Sequence, residues 1–209
     1  MKRIFTLVLV LALAGTLVAM AQTPEEIISR MEAAMKGYEE KGVVMTADIK
    51  IPIVGTLSMK NSSLGDKSYS EGRMLGREVR IWDDKTTTWT YDSSDNTLTI
   101  ENKTTGKERS TEADADLFSG ITDGYDVSIR KQTATEWHLL CRKSRSNTDK
   151  DAPRTMNLVV AKDTYHPVSL SASMSGVTLT MHDLSFGVEP ETVTFNPSDF
   201  PDAKVIDKR

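Results

Sequence analysis

Three histidines, one cysteine and two close carboxylate pairs are the side chains of this sequence that could serve a catalytic or metal centre. His138, His166 and His182 are scattered. None belongs to an HExxH motif or to a cysteine–histidine pair at metal-binding spacing. His166 precedes Pro167 in a turn, while His138 and His182 fall within alternating strand-like stretches, so surface or sheet-edge positions are expected for all three. Asp83-Asp84 and Asp114/Asp116 are acids of the kind that sit solvated in turns and at helix starts. No GxSxG, P-loop or GxGxxG is present. Cys141 alternates onto one face with Trp137 and Leu139, which points to a buried, inert thiol. The reading is therefore of a protein with no catalytic residues, no cofactor and no metal.

Methionine offers a different chemistry. Apart from Met1 and Met20 there are eight: Met31, Met35, Met45, Met59, Met74, Met156, Met174 and Met181. The last six of these lie on expected strands, where β-branched residues are the ordinary choice. Methionine is unbranched and polarisable, so a surface rich in it repacks around ligands of varied shape. An acyl chain is such a ligand, each buried methylene contributing about 0.8 kcal/mol. A core that simply uses methionine would look the same in sequence.

The elements that must carry these side chains are legible. Lys2 and Arg3 precede a nearly continuous apolar run, Ile4 to Met20, that ends in Ala19-Met20-Ala21. That is the layout of a secretory signal peptide over residues 1–21; the alternative is an uncleaved anchor. No cysteine follows the cut, so the mature chain, residues 22–209, is expected to be soluble and to form one domain. Loss of Lys2 and Arg3 takes the formal charge from −4 to −6. An acidic chain without a basic run argues against nucleic acid as a partner.

Thr23, Pro24 and Glu26 read as N-cap, first helical residue and capping box. Ile27, Ile28, Met31, Ala34, Met35 and Tyr38 then share one face of a helix that Gly42 stops. From Val43 the period changes to two, and about ten to eleven strands follow with short turns, among them the hairpin signal Ser175-Gly176. The pattern implies a mainly β protein built on an antiparallel sheet, open or closing into a barrel. Ala113 to Ile121 interrupts the strands as a short amphipathic helix, and the end of the chain, with Pro190, Pro197 and Pro201, is expected to be extended tail and turns.

At Ile81-Trp82-Asp83-Asp84-Lys85-Thr86-Thr87-Thr88-Trp89-Thr90-Tyr91 the chain resembles the outer-membrane lipoprotein carrier (LolA-like) family, whose members show a strand, an Asp-Gly-Lys-Thr-type turn and a Trp-x-Tyr strand. Asp84 stands at the usual glycine position, and there is one extra threonine. Phe195-Asn196-Pro197 and the closing Phe200-Pro201-Asp202-Ala203-Lys204-Val205-Ile206-Asp207-Lys208-Arg209 resemble the family's C-terminal segment. The resemblance implies a half-open antiparallel β-barrel whose apolar concave face is covered by helices acting as a lid. It places Met31, Met35, Leu117 and Phe118 in the lid. It makes Met45, Leu57, Met59, Trp89, Tyr91, Met156, Leu158, Met174 and Met181 candidates for the lipid-binding trough. An arginine-proline pair that latches the lid in proteobacterial members is absent; Lys60-Asn61-Ser62-Ser63 stands there, so either Lys60 substitutes or the lid is held differently.

The function implied is a periplasmic, monomeric carrier of acylated lipoproteins. It would receive cargo from an inner-membrane ABC lipoprotein-releasing transporter and deliver it to an outer-membrane acceptor. The alternative is a lipid- or signal-binding module of the same fold acting as an envelope sensor.

Overall fold

A computed structural model describes residues 22–38, 40–74, 76–103 and 118–209. The expected signal peptide, Leu117 and the first part of the expected mid-chain helix lie outside these residues.

The N-terminal helix forms as its caps dictate. In α1 (Pro24–Lys36) the Thr23 hydroxyl accepts from the Glu26 backbone N–H at 3.2 Å, and the Glu26 carboxylate accepts from the Thr23 N–H at 3.3 Å. Glu25 and Glu26 meet the positive end of the helix dipole and Lys36 the negative end. Ile27, Ile28, Met31 and Met35 are buried on one face. The helix is shorter than expected. It ends at Gly37, and Gly42 instead opens the first strand with φ +74°. A Cβ on Gly42 would lie 2.4 Å from the Ser63 carbonyl oxygen, so no larger residue fits.

Twelve strands make one open sheet: β1 (Val43–Ile51), β2 (Gly55–Leu64), β3 (Lys67–Met74), β4 (Arg77–Asp83), β5 (Thr87–Asp92), β6 (Thr97–Asn102), β7 (Tyr125–Gln132), β8 (Glu136–Lys143), β9 (Thr155–Ala161), β10 (Pro167–Met174), β11 (Val177–Phe186) and β12 (Lys204–Asp207). Their order is β12-β6-β5-β4-β3-β2-β1-β11-β10-β9-β8-β7, which leaves β12 and β7 as edges. Two antiparallel meanders, β1–β6 and β7–β11, are joined along β1 and β11 from Val43↔Phe186 to Lys50↔Thr178. Asp183, at φ +55°, lies in the bulge that interrupts this seam. The β10–β11 turn has positive φ at both Ser175 and Gly176, as the hairpin signal requires. The strand missed by sequence is β12, which runs parallel to β6. The mid-chain break appears as a short turn of helix at Phe118 followed by turns up to Gly124.

Directly paired residues share a face. One face therefore carries the row Ile129–Leu139–Leu158–Leu170–Met181–Ala47–Met59–Gly72–Val79 across nine strands. The main core lies on this face, where α1 and Phe118 pack over Val43, Met45, Leu139, Met156, Leu158, Leu170 and Met181. The other face is polar over most of the second meander and turns aromatic on β3–β6, where Tyr69, Trp82, Trp89 and Tyr91 lie. The C-terminal segment covers them. Phe195 stacks on Trp89 at 5.1 Å and meets Trp82 edge-on at 5.5 Å, while Phe200 reaches Tyr91 at 4.6 Å.

Candidate functional site

The floor of the candidate site is the α1-covered face of the sheet. Met31, Met35 and Phe118 from above, and Met45, Met156, Leu158 and Met181 from below, are all buried in one cluster. Leu57 and Met59 lie on the same face, half-buried, opposite Ile49 and Ala47. Met174 shares the face by register, but at the hairpin tip, where it is 49 % exposed. Trp89 and Tyr91 do not join them. Register places both on the opposite face, under Phe195 and Phe200, so they belong to a second core rather than to this floor.

The apolar floor also stops short of the full sheet. Past Met59 the same face continues through Asn61, Ser63, Ser68, Ser70, Thr90 and Thr99. Asn61 is buried and accepts from the Ser70 hydroxyl at 2.7 Å while its amide donates to the Met59 carbonyl at 3.1 Å. The buried Asn61 amide is thus satisfied on both sides, which is the condition for burying it. The floor is continuously apolar from β7 to β2 and mixed beyond, with hydroxyls on β3, β5 and β6 and Val79 and Ile81 on β4.

Few contacts hold α1 down besides its apolar face. The β9–β10 turn, with Tyr165 at φ +59°, carries the Tyr165 hydroxyl to the helix, where it accepts from Arg30 at 2.8 Å and from Gln22 at 2.6 Å. The Arg30 guanidinium also lies 5.2 Å from the Tyr165 ring centre. Beyond the helix C-terminus, Tyr38 stacks on Phe186 at 4.2 Å and meets His166 edge-on at 4.9 Å. At the other side the Glu32 carboxylate accepts from the Gly120 N–H at 3.1 Å, tying helix to mid-chain turn. Lys60 takes no part. It pairs with Thr46 and Glu71, which puts it on the face away from the helix. Arg30, on the helix itself, makes the bridging contact to Tyr165 instead.

Between α1 and the free edge strand β7 lies a cleft of about 450 Å³, within the size range of small-ligand pockets. Ile28, Tyr125 and Val127 give it apolar lining, and Glu25, Glu32, Asp123 and Asp126 also line it.

The titratable groups offer no reaction centre. Burial pushes the Cys141 thiol up to about 11, so it stays protonated at neutral pH. Burial lowers the pKa of His166, packed between Tyr38 and Phe186. Burial also opposes charging of His182, but hydrogen bonds to Asp48 at 3.1 Å and Asp183 at 2.9 Å outweigh it and raise its pKa. His138 is half-buried on β8, 3.2 Å from the Glu136 carboxylate. Among the described residues no group of three or more histidine, cysteine or acidic side chains is placed to hold a metal ion.

Neither a family model nor a curated protein matches the sequence. Solved structures do. A LolA superfamily protein, NE2245 from Nitrosomonas europaea, is 12% identical with a TM-score of 0.37, over 85% of this chain and 100% of that one. LprF from Mycobacterium bovis is 12% identical with a TM-score of 0.48, over 80% and 96%. The Pseudomonas aeruginosa MucA/MucB complex is 11% identical with a TM-score of 0.45, over 83% and 61%. All three TM-scores lie below 0.5, too low to carry a function across.

Proposed function

We propose that this chain is a periplasmic carrier of acylated lipoproteins. Its mature part, residues 22–209, would act as one binding domain that moves acyl chains from an inner-membrane ABC lipoprotein-releasing transporter to an outer-membrane acceptor. The observation that carries the reading is the methionine-rich floor shared by β1, β2 and β7–β11 under a single peripheral helix. Met31 and Met35 of α1 occupy the space an acyl chain would take. Loading replaces one apolar surface by another, so it needs no covalent step and no large change in buried area. The polar clasp on α1 is a few exposed or half-buried hydrogen bonds, each a small net contribution of about 1 kcal/mol, so releasing the helix would cost mainly the apolar contact that the acyl chain replaces. The hydroxyl-lined part of the same face suits the polar glyceryl and peptide end of a lipopeptide. The sequence resemblance to the LolA-like family supports the same reading.

Native mass spectrometry of the mature protein drawn gently from periplasm tests it. A bound diacylglyceryl- or triacyl-cysteine peptide is the expected result. Leu57→Asp and Met59→Asp, at half-buried floor positions, are expected to lose that species while keeping the circular dichroism of the wild type. A free lipid, or a complex with a membrane regulator in its place, would shift the reading to an envelope sensor on the same fold. Cargo retained undiminished in both variants would remove the floor assignment.

A further inference from the structure

The apolar floor runs out to the surface at one end of the sheet. Met181 and Ala47 are buried, and the next row, Leu179, Ile49 and Leu57, is half-buried. Beyond it the chain turns back in the hairpins β1–β2 and β10–β11. There Ile53 is 108 % exposed, Val54 65 % and Met174 49 %. The two tips are neighbours, since a Cβ on Gly176 would lie 3.7 Å from the Pro52 ring. Ile53 is held at φ +71°, a left-handed backbone that a β-branched side chain adopts only under strain. Neither solvation nor local backbone preference accounts for an isoleucine there.

Charge gives the second observation. Residues 50–57, 73–74, 76–77 and 173–178, at the tips of the adjoining hairpins β1–β2, β3–β4 and β10–β11, contain Lys50, Arg73 and Arg77 and no acid, while Glu78 lies opposite Arg73 at the base of the β3–β4 tip. All three cations are exposed, Arg77 in a loose 3.7 Å pair with Asp92. In a mature chain of formal charge −6 this is a local reversal of sign. A second copy seated on the patch would oppose these cations to their own kind.

We infer that this end of the sheet docks on a lipid bilayer bearing anionic headgroups. Ile53, Val54 and Met174 enter the interface, and Lys50, Arg73 and Arg77 lie against the headgroups. The docking stands on the tip alone, while its use rests on the acyl-carrier reading: a chain sliding along the floor past Leu57 would pass into lipid without crossing water.

Flotation of the mature protein with phosphatidylcholine–phosphatidylglycerol vesicles, against phosphatidylcholine alone, tests the inference. The protein is expected to float with the anionic vesicles. Ile53→Asp with Val54→Asp is expected to cut partitioning by about tenfold or more, and Lys50→Gln by about fivefold. Ile53→Asn suits the left-handed backbone better than isoleucine, so weaker flotation of that variant with an unchanged or higher Tm excludes misfolding as the cause. Equal flotation of wild type and variants, or none by the wild type, overturns the proposal. So does a concentration-dependent dimer that Ile53→Asp dissociates, which would make the tip a self-interface. The vesicles carry no lipopeptide, so failure here leaves acyl binding untouched, and an empty trough in mass spectrometry leaves docking untouched.

Discussion

The Cys141 side chain, on the strand next to edge strand β7, faces Val127 on one side and Met156 on the other and is fully buried. With its pKa pushed up to about 11 it offers almost no thiolate at neutral pH. A thiol reagent such as dithionitrobenzoate should therefore leave the native protein unmodified and titrate one thiol per chain in denaturant; rapid native labelling would contradict this packing. His166 makes a prediction of pH. Its folded pKa is depressed, so its neutral form stabilises fully above the unfolded value of 6.5, and that contribution is lost as pH falls through the folded pKa. His182, with a raised pKa, runs the other way: its contribution is full below 6.5 and is lost as pH rises through its folded pKa. Urea midpoints of His166→Phe should hence fall less between neutral and mildly acid pH than those of the wild type, and a parallel profile would rule the histidine out. At this scale alternation in Trp137-Leu139-Cys141 was enough to read burial. It was not enough for Trp89 and Tyr91. Alternation says that two residues share a side but not which side, and the apolar side changes faces between β2, with Leu57 and Met59, and β3, with Tyr69. What covers Trp89 is Phe195, over a hundred residues away, which no local pattern announces.

Among elements, α1 was the most legible because its signals are local: a capping box, a proline at the first turn and four apolar residues at helical spacing. Its clasp was not legible, since Tyr165 and Arg30 are 135 residues apart and the turn that aims Tyr165 has positive φ. Tyr165→Phe removes the acceptor of both clasp hydrogen bonds at a half-buried site. It should lower stability by about 1–2 kcal/mol while speeding exchange of a fluorescent acyl probe; unchanged exchange would mean that the helix is held by its apolar face alone. Met31 and Phe118 are poor probes of the lid, because both are fully buried and an aspartate there would unfold the core rather than simply open it. Strand β12 went unread for a plain reason. Four residues after Pro201 pair in parallel with β6, and a short edge strand with Lys204, Val205 and Ile206 carries little periodicity of its own.

Across the whole molecule two half-cores lie on opposite faces of one sheet. The helix covers the first over β7–β11 and β1, and the C-terminal segment covers the second over β3–β6. They share one sheet but no strand, and no direct side-chain contact between Leu158 and Phe195 is expected from their faces. Leu158→Ala should cost roughly 2–5 kcal/mol and Phe195→Ala about 2 kcal/mol. The double variant should lose the sum of the two within about 0.5 kcal/mol in urea unfolding; a clear shortfall would show the two cores to be coupled through the sheet. That the chain is a long antiparallel sheet with an apolar, methionine-lined face was readable from period and composition. That only about half of this face is apolar was not, because Asn61, Ser63, Ser68 and Ser70 lie in strands that are polar on both sides apart from Leu57, Met59, Leu64, Tyr69 and Met74, and their burial comes from pairing with residues of other strands.

The seam between β1 and β11 has a consequence in time. Val43 and Phe186 are about 140 residues apart, yet they lie side by side in the floor, and each meander can zip its own hairpins long before they meet. A chain emerging from a membrane pore N-terminus first therefore has β1 beside β2 but nothing on its other flank until the last antiparallel strand is out. On the carrier reading, a half-exported molecule would lack the completed floor, because β11 must pair with β1 to finish it, and a chain still threaded through the membrane would have nothing with which to capture the lipid beside it.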